Sequence, residues 1–168
     1  VLGCIQDNQL LYEYGKEVAR QCKEIGVQIN FAPVADVDIN PRNPVINTRS
    51  FGGDPKNVAQ KVVAYSRGLE DGGVLSVAKH FPGHGDTEVD SHKALPVLNF
   101  DRARLDSIEL YPFKEVIHAG LGGIMAGHLE VPELGKNPAS LSAHVIDNLL
   151  CRELGFRGLV FTDALEMK

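Results

Sequence analysis

Across its 168 residues the chain has no apolar run near the roughly 18 residues that a helical membrane span requires, so a transmembrane segment is not expected. No basic-then-apolar leader opens it, and Val1 stands where an initiator methionine would, so a piece of a longer polypeptide is expected. Cysteine is scarce: Cys4, Cys22 and Cys151 are an odd number without CxxC or metal-ligand spacing, and reduced core thiols are expected rather than a disulfide framework. Basic stripes are missing too. The 17 Lys and Arg are outnumbered by 22 Asp and Glu, for a net charge of -5 spread along the chain, so nothing tracks a phosphate backbone and nucleic acid is not an expected partner. There is no internal repeat, no low-complexity tract, no HExxH helix and no HxH pair.

What is present is 43% hydrophobic and long enough for one sizeable core. Residues 6–24 carry Leu10, Leu11, Tyr14, Val18 and Cys22 near helical spacing, with Gly26 at the position of a C-terminal cap. Val27 to Val34 reads as a strand interrupted at Pro33, followed by a long turn-rich loop from Asp36 through Pro44 to Arg49-Ser50-Phe51. Asp54-Pro55 opens a helix that runs to Gly72-Gly73, and Val74 to Ala78 is a buried strand delivering Lys79-His80. Asp101 caps one helix extending to Gly120, Gly122 to His128 is a third strand, Ser142 opens a helix ending at Gly155, and Gly158 to Asp163 is a fourth strand. Strands alternating with helices imply a parallel sheet, with Lys79, His80, His128 and Asp163 at carboxyl ends. A doubly wound open sheet fits the alternation. A TIM-type (β/α) barrel fits better, because ligand-competent residues occur at several strand ends. A full barrel takes about 250 residues, so the expectation is an α/β fold with about half of a barrel's strands.

The stretch from Lys79 to His92 holds three histidines, one lysine and two of the chain's most suggestive carboxylates, Asp86 and Asp90. Solvated surface loops gather such residues without purpose, but Lys79-His80 abutting a strand end is held rigidly and has little structural use. Asp90 and His92, two apart, project the same way in extended chain, so the carboxylate can orient the imidazole for proton transfer. Asp163 at a strand end is either a nucleophile or cation stabiliser, or the N-cap of a helix begun at Ala164. His80, His84, Asp86, Asp90 and His92 contain the donor types of a metal site, against which Lys79 adds a positive charge beside any ion; no metal and no cofactor are expected. Gly83 and Gly85 around His84 are expected to let the loop close over a ligand.

Taken together, Lys79-His80-Phe81-Pro82-Gly83-His84-Gly85 with Asp90-Ser91-His92, Arg49-Ser50-Phe51 upstream and Phe161-Thr162-Asp163 downstream resemble glycoside hydrolase family 3. More narrowly they resemble its NagZ-like β-N-acetylglucosaminidase branch. The resemblance covers the whole chain and implies a retaining exo-glycosidase acting on a carbohydrate, in peptidoglycan or amino-sugar turnover. It implies Asp163 as the nucleophile, His92 held by Asp90 as acid/base, and Arg49, Lys79 and His80 as sugar-binding residues; His128 receives no role. The usual proton donor is a second carboxylate, so the His/Asp pair departs from the general template. β-Glucosidase, β-xylosidase, phosphorylase, metal-dependent barrel hydrolase and inactive sugar-binding module are the competing readings. The resemblance further implies additional barrel strands outside this sequence and leaves room for other domains of the parent chain, and residues 1–168 alone are expected to be inactive.

Overall fold

A computed structural model describes residues 2–90 and 94–166. Helix α1, Asn8–Glu24, begins where Asp7 is extended and its carboxylate accepts from Gln9 N at 2.9 Å; it ends before Gly26, whose φ is +80°. Helix α2, Pro55–Asp71, starts in the same way, with Asp54 accepting from Asn57 N at 2.7 Å and Pro55 in the first turn. The two helices pack closely because each presents a glycine. A Cβ on Gly68 would lie 2.1 Å from Tyr12 O, and one on Gly15 would lie 2.4 Å from Tyr65 O. In a free helix Gly68→Ala would gain roughly 1 kcal/mol of propensity. Here overlap with neighbouring backbone outweighs it, and a net loss of about 1–3 kcal/mol is expected from denaturant melts of the full-length protein; an unchanged midpoint would show that the helices have room to part.

Four strands follow the alternation: β1 Ile29–Asn30, β2 Leu75–Phe81, β3 Gly123–Ala126 and β4 Leu159–Thr162. All pair in parallel in the order β1-β2-β3-β4. Regular β1 is far shorter than the expected 27–34. Pro33 has no N–H to give, yet the chain keeps its course along β2, because Val77 N donates to Ala32 O at 2.9 Å and Lys79 N to Pro33 O at 3.1 Å. Conversely β2 runs beyond Ala78 and takes in Lys79, His80 and Phe81.

The expected helix from Asp101 to Gly120 is two: α3, Arg102–Ser107, and α4, Tyr111–His118. Ile108 leaves helical geometry at φ -124°, ψ -71°, and Pro112 restarts the chain in the first turn of α4. Helix α5, His144–Glu153, is wound with i→i+5 hydrogen bonds, and Leu154 N donates to Leu149 O at 2.9 Å as it ends. No helix among the described residues is long and apolar enough to cross a membrane.

Register separates the sheet's two faces. Ala78 pairs with Ile124 and Ile124 with Val160. Ala78 and Ile124 pack with Leu11, Val62, Leu69, Phe113 and Leu149 in the core beneath the helices. The Phe81 and Phe113 rings meet there edge to face at 5.3 Å. The layer Lys79–Met125–Phe161 points to the other face. There the ring of Phe31, just past β1, sits 5.2 Å from that of Phe161 in β4. In a flat sheet three strand spacings would hold them about 14 Å apart. The sheet is therefore curled with this face concave, and the architecture is a partial TIM-type barrel. Of the cysteines, all free, Cys22 packs against the core while Cys4 is exposed rather than buried as expected.

Candidate active site

Because the strands are parallel, their carboxyl ends share one rim, where Lys79, His80, His128 and Asp163 all lie. Neighbouring backbones are bonded at this level: Ala35 N to Lys79 O at 2.7 Å, Gly127 N to Phe81 O at 2.9 Å and Asp163 N to Ala126 O at 3.0 Å.

At the end of β2 the register slips. Lys79 opposes Met125 but Phe81 opposes Ala126, so His80 is the extra residue of a bulge and its N–H leaves the ladder. The freed N–H needs an acceptor, and the fully buried carboxylate of Asp36 provides it, at 3.2 Å from either oxygen. The same carboxylate takes His80 Nδ1 at 2.7 Å on Oδ2 and His84 N at 2.7 Å on Oδ1. Asp36 thus organises the motif loop from below. Sequence reasoning passed over it as one more turn former, although the rule used for the other four applies equally: it lies just beyond the carboxyl end of the first strand.

Asn43 makes a second clamp. Its buried amide donates to His84 O at 2.8 Å while its carbonyl accepts from Val45 N and Ile46 N, so the long loop bearing Arg49 and the loop bearing His80 are bolted together. Thr87 Oγ1 lies 2.7 Å from His84 Nδ1. Burial, ahead of any nearby charge, pushes the His84 imidazole below its usual range, favouring the neutral ring. Asp86 accepts from Arg104 Nη2 at 2.8 Å, and that guanidinium also reaches Glu109, whose carboxyl burial pushes upward. Gly85 has a packing role beyond any hinge: a Cβ there would stand 1.9 Å from Val37 O.

Lys79 is half-buried and faces the concave side. Burial is the main reason its ammonium sits below the ordinary lysine range; Arg49 pushes the same way, while Asp163 and Asp36 pull it back up. An opening of about 340 Å³, within the range of small-molecule sites, is lined by Arg49, Lys79, Phe31, Val34, Phe51 and Tyr65 among others. A broader, shallower depression of about 880 Å³ on α1 is bordered by charged residues such as Glu13, Arg20 and Glu24, and holds none of the motif residues.

Asp163 comes directly after β4 and is half-buried. Its carboxylate accepts from Ala164 N at 2.9 Å, one residue on, whereas an N-cap takes an N–H two or three residues on. His128 lies just past β3, half-buried, with Nδ1 enclosed and unbonded among the described residues. Asp90 is half-buried near the far end of the motif loop, and Ala94 N donates to its carbonyl at 3.1 Å. His92 lies outside the described residues. Among those described, no three His, Cys, Asp or Glu side chains are grouped as a metal would need.

A family profile described as "Glycosyl hydrolase family 3 N terminal domain" matches residues 1–168. Among curated proteins the chain is similar to "Beta-hexosaminidase A" of Pseudoalteromonas piscicida, 42% identical over 163 residues, covering 89% of this chain and 27% of that protein. Among solved structures it is similar to a glycoside hydrolase family 3 beta-N-acetylglucosaminidase from Paenibacillus sp. str. FPU-7, with 46% identity, a TM-score of 0.96, and coverage of 99% of this chain and 32% of that one. It is also similar to NagZ from Neisseria gonorrhoeae in complex with N-trifluoroacetyl-D-glucosamine, with 35% identity, a TM-score of 0.89, and coverage of 95% and 47%. The chain therefore spans less than half the length of each of these relatives.

Proposed function

The chain belongs to glycoside hydrolase family 3, as its N-terminal domain, and from that premise we propose that it is part of a single catalytic barrel in a retaining, exo-acting β-N-acetylhexosaminidase. The substrate is a terminal N-acetylglucosaminide, of the kind released in peptidoglycan or amino-sugar glycan turnover. The observation that carries the reading is the position of Lys79 and Asp163 at the carboxyl ends of parallel strands on one rim, with Arg49 and Lys79 lining one opening there. A sugar seated over Phe31 and Phe161 meets cations that donate to its hydroxyls and one carboxylate beneath it.

In this reading Asp163 attacks the anomeric carbon as His92, oriented by Asp90, protonates the departing glycosidic oxygen. The glycosyl ester on Asp163 is then opened by water, from which neutral His92 removes a proton, returning both groups to their starting states. Arg49, Lys79 and His80 hold the ring hydroxyls through both halves. The relatives named for hexosaminidase and N-acetylglucosaminidase activity support the choice of sugar.

The test uses the full-length protein on 4-nitrophenyl N-acetyl-β-D-glucosaminide and on the matching glucoside and xyloside. The N-acetylglucosaminide is expected to be cleaved with a kcat/KM at least about 100-fold above the other two, on the general ground that a site which hydrogen-bonds a substrate group rejects analogues lacking that group. Free N-acetylglucosamine is the expected product in both phosphate and a non-nucleophilic buffer. Preference for the glucoside would sink the choice of sugar, and a sugar phosphate in the first buffer would make the protein a phosphorylase.

A further inference from the structure

His80 has one nitrogen tied down and one left over. Nδ1 is 2.7 Å from Asp36 Oδ2, and a carboxylate with no exposed surface that also accepts two backbone N–H groups is placed as an acceptor, so Nδ1 carries the hydrogen. Nε2 has no hydrogen-bond partner among the described residues, and the His80 side chain keeps 7% of its surface exposed, whereas Nε2 of His84 is both enclosed and unbonded. The free end of the His80 ring is therefore its reachable end, beside Lys79 on the rim. Asp36 also ties this ring to the Arg49 loop, because Ser50 Oγ donates to Asp36 O at 2.7 Å.

We propose that Asp36 is a positioning residue for sugar recognition: its carboxylate fixes the tautomer and orientation of His80 so that Nε2 meets a substrate hydroxyl. The proposal rests on the glycosidase reading above. Asp36 touches no substrate; it acts through the imidazole, in the manner of outer partners that orient ligating histidines. The D36N change separates this role from simple support. Its amide oxygen replaces Oδ1 and still accepts from His84 N and His80 N, while its NH2 replaces Oδ2 and offers a hydrogen to Nδ1. Nδ1 then has to accept rather than donate, which leaves the ring's hydrogen on Nε2.

In the full-length protein, D36N is expected to lower kcat/KM on 4-nitrophenyl N-acetyl-β-D-glucosaminide at least about 30-fold. In an H80A background the same change is expected to cost less than about 3-fold, because the ring through which Asp36 acts is gone. An equal loss in both backgrounds, or none in either, overturns the proposal. If D36N does not fold, the ring is read directly. In 15N-labelled full-length protein, with His80 signals assigned by their loss in H80A, Nδ1 is expected to bear a proton, and a bare Nδ1 overturns the proposal. That measurement needs no turnover, so it also separates failure of this inference from a wild-type protein that cleaves no glycoside, which would instead refute the proposed function.

Discussion

Asp163→Ala in the full-length protein is expected to lower kcat on 4-nitrophenyl N-acetyl-β-D-glucosaminide by about 1,000-fold or more, while the melting temperature barely moves. The two halves of this expectation have separate causes. Removing a nucleophile deletes the covalent route, and single members of nucleophilic constellations cost about as much as losing the whole set. Stability is spared because the half-buried side chain's contact is with Ala164 N, whereas the Asp163 backbone bond that holds β4 to β3 does not depend on the side chain. Loss of activity therefore cannot be ascribed to loss of fold. If Asp163 is the nucleophile as proposed, its removal leaves room for a small anion at the anomeric carbon, so azide is expected to restore turnover and to yield a glycosyl azide of inverted configuration. An Asp163→Ala protein that retains a tenth of its activity without added anion would leave the nucleophile elsewhere.

His92→Ala is expected to cost about 100- to 10,000-fold on a disaccharide or alkyl N-acetylglucosaminide, the range that a positioned proton donor supplies. The cost should shrink for the nitrophenyl substrate in the first step, since nitrophenolate departs with little protonation. It should persist in the second, where water still has to be deprotonated. The signature is thus a burst of nitrophenol and then a slow steady state, read by stopped-flow absorbance. A uniform loss on all leaving groups, without a burst, would show that His92 holds the site together rather than handling protons.

The architecture was legible because its signals are local. Asp7 and Asp54 announce α1 and α2, Gly26 marks the end of the first, and the apolar run from Val74 marks β2; each rests on backbone chemistry within a few residues. Alternation then implied parallel strands, which places every strand-end residue on one rim. Where the reading failed, a local breaker was passed over or a distant partner intervened. Pro112 splits the helix expected from Asp101, and pairing with Val34 and Met125 draws Lys79 into β2. Asp36 is the fullest case. In sequence it is one acidic residue in a turn-rich loop, 44 positions from the N–H it satisfies, and no periodicity connects the two. The bulge of β2 against β3 releases a donor at His80, and only the chain following β1 beside β2 brings a buried carboxylate to take it.

Residue order alone was therefore enough for the α/β class, the parallel alternation and four of the polar groups at the strand ends, since helix caps, glycine turns and apolar periodicity act over a few peptide units. The curl that brings Phe31 to Phe161, the bulge that frees the His80 amide and the burial that lowers Lys79 needed the folded chain. They arise from hydrogen bonds and desolvation between segments tens of residues apart, whose strength depends on where the backbone runs rather than on which residues are neighbours along it.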